Sequence, residues 1–415
     1  MFLNRFFLLF LLFFSSLISV SQEVILPPDY IKTVVLQTNE GNGFYPIMQK
    51  SGMLHVAFDD IQANEKDYYY LIEHCDRHWK TSDLLPTEFV RGYQKEQIRS
   101  YQNSVNTLQF YTHYDFQIPN EQTQLLISGN YRLSVLNDND EVIFTRYFIV
   151  YEPITTVGVS VHQRRDVSVI SEQQSVQFNI NHPGLSINNP YEEIYPMIFQ
   201  NFDFSTAIYD LKPQFIRGDQ LLYKYDKETA YFGGNEFLNF DTKEMLMTNF
   251  RVAAVVSGKD LYESILYTDV QRAFDPYTYF PDINGNFLVN KARSNENNLD
   301  ADYSRVAFSL DADEFFDKQV YVYGAFNNYR LTDENRMIYN PELGIYQAKI
   351  LLKQGFYNYN FVTLNSHNQI NSVELNGSFD ETENDYQVIV YYVKFGSRYD
   401  RVIGYGMGNS SNLKQ

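Results

Sequence analysis

The chain reads as all-β, a row of tandem immunoglobulin-like or Greek-key β-sandwich domains, on three observations. Tyr (35) and Phe (33) are abundant for 415 residues, and aromatic side chains suit a pleated, half-buried surface. Apolar and polar residues alternate with period two over many short runs, whereas runs of helical period are scarce. Clusters of Asn, Asp, Gly and Pro stand between those runs, at the spacing expected of sandwich strands.

The elements follow in order. Arg5 gives a positive start, residues 6–14 are unbroken apolar, and Ser19-Val20-Ser21 supplies small residues before Gln22. That is the pattern of a cleaved export signal over residues 1–21, and its apolar stretch is shorter than the roughly 20 residues a bilayer span needs. The one cysteine, Cys75, lies far from that cleavage site, so neither acylation there nor an internal disulfide is expected. In residues 130–152, Tyr131, Leu133 and Val135 alternate with Arg132 and Ser134. Asn137-Asp138-Asn139-Asp140 then turns the chain and residues 142–150 run back, a hairpin by pattern and turn chemistry. Glu152-Pro153 closes a first sandwich, residues 22–153.

A second block carries alternating Val157, Val159 and Val161, then Val176, Phe178 and Ile180, broken by Asn181-His182-Pro183-Gly184. Further strands are expected at residues 199–211, 237–240, 251–257 and 264–270, with turns such as Phe232-Gly233-Gly234-Asn235 between them. Hydrophobicity falls across residues 291–302, which sets a second boundary and a middle sandwich of residues 154–302. Strands at residues 306–310, 319–323, 344–352, 357–363 and 386–395 make a third domain, residues 303–396, followed by a C-terminal segment, residues 397–415.

Charge narrows the choice of partners. The net charge is −18 and becomes one unit more negative if Arg5 leaves with the signal. Such a chain is repelled by nucleic acid and by anionic lipid. No later segment is apolar and long enough for a spanning helix. A membrane β-barrel is disfavoured by the polar ending Asn409-Ser410-Ser411-Asn412 and by Pro and dense charge inside the strand runs.

Candidate chemistry is sparse. His74-Cys75-Asp76-Arg77-His78-Trp79 gathers metal-ligand residue types. On a continuing strand, however, His74, Asp76 and His78 spread over ~13 Å and reach one ion only if the chain turns sharply. No second His or Cys cluster exists, and His55, His113, His162, His182 and His367 are scattered; no metal or other cofactor is expected. There is no Gly-x-Ser-x-Gly elbow and no phosphate-binding glycine loop. The acidic groups Asp59-Asp60 and Asp311-Ala312-Asp313-Glu314 read as solvated faces rather than a glycosidase pair. No catalytic residue is expected.

Two resemblances stand on these residues. Residues 320–329 and 344–359, with Tyr321-Val322-Tyr323-Gly324-Ala325-Phe326 and Gly355-Phe356-Tyr357-Asn358-Tyr359, resemble an early-set, glycogen-binding-like immunoglobulin-fold module. Tyr329 stands where such modules place a sugar-stacking aromatic, which implies glycan binding as an alternative function.

Five ordered segments resemble the plug protein family of the type IX secretion system in Bacteroidetes. They comprise the run around His74, Cys75, Asp76 and Trp79; the run with Ser104, Asn106, Thr107 and His113; Gly129-Asn130-Tyr131; the module just described; and the run with Asp400 and Arg401. That resemblance implies a periplasmic, non-enzymatic protein, monomeric outside its complex. It would bind the periplasmic mouth of the large outer-membrane β-barrel translocon and seal it when idle. The named residues would then be structural, with the partner-binding residues unknown.

Overall fold

The computed structural model describes residues 24–39, 43–294 and 296–414; the expected export signal lies outside them. Among the described residues no helix is long and apolar enough to cross a membrane. The protein is almost entirely β, built as tandem sandwiches as the alternation predicts.

The first sandwich packs a four-stranded sheet (Ile31–Thr38, Leu54–Asp60, Thr112–Ile118 and Tyr101–Asn103) against a five-stranded one (Ile47–Gln49, Val142–Tyr151, Gly129–Leu136, Tyr69–Cys75 and Lys95–Gln97). The hairpin at residues 129–151 forms as its pattern requires. The Asn137 amide donates to the Glu141 carbonyl at 3.0 Å, and Asp140 takes the left-handed conformation that closes the turn. Inward-facing Val56, Phe58, Ile72, Tyr114, Leu133 and Phe148 fill the core, and Phe58 stacks on Tyr114 with centroids 5.1 Å apart.

The later strands connect differently from the linear division expected. Strand Asp385–Tyr392, expected in the third domain, pairs instead with Ile194–Gln200, and Arg401–Asn409, from the expected terminal segment, pairs with Asp385–Tyr392. With Asp203–Tyr209 they form the second sheet of the middle sandwich, opposite Thr156–Gln163, Gln173–Asn181, Gln220–Tyr223 and Phe215–Arg217. Conversely, strands between residues 238 and 289, expected in the middle sandwich, pair with strands of the third. The third sandwich is therefore inserted into the second, between residues 232 and 385. Alternation reports which face of a strand is buried and not which strand lies beside it, so it could not reveal the insertion.

One sequence detail does record this topology. Gly404, Gly406 and Gly408 alternate along the final strand and face Thr156–Gln163. A Cβ at Gly406 would lie 2.6 Å from the Val157 carbonyl oxygen and one at Gly404 2.1 Å from Thr155 Oγ1. Only glycine lets the two strands, one from each sheet, approach so closely.

In the inserted sandwich the short strand Arg336–Asn340 pairs with both Lys318–Tyr323 and Ile345–Lys353, making the two layers continuous. Phe240, Val306, Phe308, Val322, Tyr359 and Phe361 fill its core. The expected strand at residues 199–211 is instead a hairpin, because Asn201 and Phe202 both adopt positive φ and reverse the chain.

Candidate functional site

The residues singled out from sequence gather at two joints between sandwiches. At the first joint, strand Tyr69–Cys75 ends and the chain turns sharply, with Trp79 at positive φ. Asp76 fixes the turn: its Oδ1 accepts from the amides of His78 and Lys80, both at 2.9 Å. The turn points into the middle sandwich. Trp79 packs edge-on between Tyr147 and Phe204, and the Arg77 amide donates to Asp400 Oδ2 at 2.8 Å. Asn130 is fully buried here. It donates through Nδ2 to the Asp76 carbonyl at 3.0 Å and accepts the Tyr391 hydroxyl at 2.8 Å. Arg401 grips Glu152 through two nitrogens at 2.9 and 2.6 Å, and Ser128 bridges Glu152 to the Val402 amide.

His74 lies between the first sandwich and Tyr399, on the same joint. Its ring meets Tyr131 and Tyr399 edge-on, and Nδ1 lies 3.0 Å from Ser82 Oγ. Gly129 backs onto it so closely that a Cβ would fall 2.2 Å from Nε2. Burial lowers the imidazole to about 4, with the charges of Asp76 and Asp400 offsetting only part of that. Cys75 is buried on the other face, and burial pushes its thiol up to about 12. His78 turns toward Asp210, 3.8 Å from Nε2 to Oδ2. The sharp turn that a metal site requires does occur, yet it sends His74, Asp76 and His78 to three different environments.

The second joint links the first sandwich to the inserted one. In residues 104–111, Ser104 Oγ accepts from Thr107 Oγ1 at 2.9 Å and from the Tyr111 amide at 3.1 Å, while Asn106 adopts positive φ. The loop so shaped presents the amides of Leu108 and Gln109 to Asp302, at 2.6 and 3.1 Å. Tyr111 donates to the carbonyl of Ala301 at 2.8 Å. Residues 298–302, within the polar stretch where the second boundary is expected, thus serve as a docking rim.

Beneath the loop lies a buried ionic cluster. Asp59 accepts from His113 Nδ1, Tyr303 hydroxyl and Lys353 Nζ, each at 2.6 Å. The side chains of Asp59 and Lys353 are 0% and 1% exposed. Burial alone would raise the Asp59 carboxyl, but Lys353 and His113 together bring it below the ordinary carboxylate value. Asp59-Asp60 is therefore no solvated face: Asp60 is buried too, accepting from Tyr68 at 2.9 Å. In the other acidic run, Asp311, Asp313 and Glu314 are exposed as expected.

Tyr329, the candidate sugar platform, is also absorbed into a joint. It adopts positive φ, its hydroxyl donates to the Asn201 carbonyl at 3.2 Å, and its ring packs on Tyr323. That places it against the middle sandwich and not on an open face. Sequence reasoning missed the roles of Asp59, Tyr303, Lys353, Glu152 and Asp210, whose partners across the joints lie more than a hundred positions away. The available signal was a Lys353-Gln354 pair interrupting an apolar strand run.

Fold and joints together define a three-lobed β-sandwich protein locked by buried polar and aromatic contacts. Residues 31–152, the first sandwich, match the family model described as the type 9 secretion system plug protein 1st domain. The chain is also similar to a hypothetical protein from Parabacteroides merdae ATCC 43184. The crystal structure of that protein aligns with a TM-score of 0.89 at 29% identity, covering 93% of this chain and 98% of that one. A trypsin-activated alpha-2-macroglobulin from Escherichia coli aligns with a TM-score of only 0.17 at 8% identity, covering 91% of this chain and 27% of its own. No curated protein is similar enough to count as a match.

Proposed function

We propose that this protein is a periplasmic plug of the type IX secretion system, a non-enzymatic binder that closes the periplasmic mouth of the large outer-membrane β-barrel translocon when no substrate occupies it. The observation that carries this reading is the match of residues 31–152 to the first domain of the plug family. The joints are consistent with it. A wide aqueous barrel leaks unless something rigid covers it, and three sandwiches joined through Trp79, Asn130, Arg401, Asp59 and Lys353 suit that task. His74, Cys75, Asp76, Ser104, Asn106, Thr107, His113, Gly129, Tyr131 and Asp400 are spent on shaping those joints and are structural in this reading. Sealing by a stopper also calls for a standard-sized or larger interface, about 1,200–2,000 Å2 or more, that still releases.

The test is an affinity pull-down of the tagged mature protein from detergent-solubilised outer membranes, read by mass spectrometry. A giant β-barrel retained stoichiometrically is the expected result. Its presence in the input and absence from the eluate would overturn the plug reading.

A further inference from the structure

A cleft of ≈ 620 Å3 opens where the three sandwiches meet, a size within the roughly 300–1,000 Å3 typical of ligand pockets. Each lobe supplies part of its wall, and the lining brings together three features a ligand can use.

The first is open backbone. Residues 34–37 of Ile31–Thr38 line the cleft, and that strand sits at the edge of its sheet, paired only with Leu54–Asp60. Across from it, Asp203–Tyr209 is likewise an edge strand, paired only with Ile194–Gln200. Unpaired strand edges are templates for an added strand. The second feature is aromatic surface: Phe202, Phe204 and Phe287 line the same space.

The third is cationic. Arg146 and Arg330 line this cleft and also the ≈ 110 Å3 cavity beside it. Among the described residues neither guanidinium has a carboxylate within salt-bridge distance; Arg146 donates only to its neighbour, the Thr145 carbonyl, at 3.0 Å. Glu334, in the adjoining cavity, is taken by Lys32 at 2.6 Å. The one acid lining the main cleft, Asp203, already accepts from Tyr323 at 2.7 Å and from the Ser205 amide at 2.9 Å. Burial lowers Arg146 to about 10, helped by the charge of Arg330, and burial raises Asp203 although its hydrogen bonds and the charge of Arg330 pull the other way. Two cations lining one cleft, Arg146 being buried, are an arrangement that an anion relieves. In a chain of net charge −18 this pocket is locally positive.

We propose that the three-lobe cleft binds an extended peptide segment presenting a carboxylate. Its backbone adds to the edge at residues 34–37, its apolar side chains pack on Phe202, Phe204 and Phe287, and its carboxylate sits between Arg146 and Arg330. The carboxylate comes either from a chain terminus or from an acidic side chain. This inference stands apart from the plug reading, since it asks what the cleft holds and not what the protein covers.

The test exposes the full mature protein to two pools of N-acetylated random hexapeptides, one with free C-terminal carboxyls and one amidated. Retained peptides are identified by mass spectrometry, and the binding of the best peptide is measured by fluorescence anisotropy. Enrichment confined to the free-acid pool assigns a terminal carboxylate. Enrichment of Asp- or Glu-containing peptides in both pools assigns a side chain. Either binding falls about tenfold or more in Arg330→Gln, a variant expected to melt like the parent because that side chain makes no ion pair among the described residues. Arg146→Gln serves as the second variant. Retention that is nil, or equal in parent and Arg330→Gln, overturns the proposal.

Discussion

The two joints that hold the first sandwich use opposite chemistry for one task. Toward the middle sandwich the contact is neutral and aromatic at its centre: Trp79 between two rings, Asn130 bonded on both sides, His74 kept uncharged by burial. Its ion pairs, Glu152–Arg401, Glu88–Arg398 and those of Arg77 with Asp210 and Asp400, are partly exposed and lie around that centre. Toward the inserted sandwich the centre itself is ionic, with Asp59 and Lys353 withdrawn from water and braced by His113 and Tyr303. A neutral joint tolerates loss of one contact at the cost of one hydrogen bond. A buried ion pair does not, because the survivor keeps its desolvation penalty without its partner. The joints should therefore fail under different perturbations.

The largest effect is expected at the ionic joint. Lys353→Met leaves Asp59 buried against His113 and Tyr303 alone, at a cost of about 3–5 kcal/mol. Urea denaturation of the full chain would show it as a lowered midpoint. Asp59→Asn/Lys353→Met should recover most of the loss, since it removes both charges. A single variant within about 1 kcal/mol of the parent would mean that water already reaches the pair, and the contrast between the joints would collapse.

Acid should separate the joints next. His74 is held at about 4 in the folded protein against an ordinary 6.5, so the unfolded chain binds the extra proton first. Stability from neutral His74 is full above pH 6.5 and is lost as pH falls toward 4, on the order of 3 kcal/mol when complete. Asp59 loses its contribution in the same direction, but at lower pH. Its carboxyl is held below its ordinary value, so its contribution persists until pH drops below the usual carboxylate range. Between pH 6.5 and 4 the His74 joint should loosen while the Asp59 joint holds. Hydrogen exchange across that range, corrected for the slowing of intrinsic exchange in acid, should show rising opening in Gly129–Leu136 and unchanged opening in Thr112–Ile118. A uniform rise in both strands would contradict the assignment.

How much of this was legible depends on distance along the chain. The hairpin at residues 129–151 and the core-facing rows were readable because alternation and turn chemistry are local. His74, Asp76, Asn130 and Arg401 were flagged as a group, but their purpose lay in partners such as Tyr391 and Glu152, which no spacing rule connects. Asp59 was misread because two adjacent acids on an acidic chain look solvated; its burial depends on Lys353, 294 positions away. The insertion was hidden for the same reason. Gly404, Gly406 and Gly408 spell out a close strand crossing, yet they do not say that the strand crossed is Thr156–Gln163.

The smallest effect belongs to the rim of the neutral joint, and it sharpens the comparison because it also touches an ion pair. Arg401 and Glu152 are 36% and 20% exposed at their side chains, so solvent screens them and little desolvation has been spent. Arg401→Lys keeps the charge and loses the two-nitrogen grip, and should cost no more than about 1 kcal/mol. Raising salt should shrink that difference further while leaving the Lys353→Met deficit nearly unchanged, because screening ions reach the rim and not the buried pair. The two variants measured at low and high salt thus read burial directly. If Arg401→Lys proved as damaging as Lys353→Met and as insensitive to salt, the rim pair would be part of the joint's core, and the two joints would share one chemistry after all.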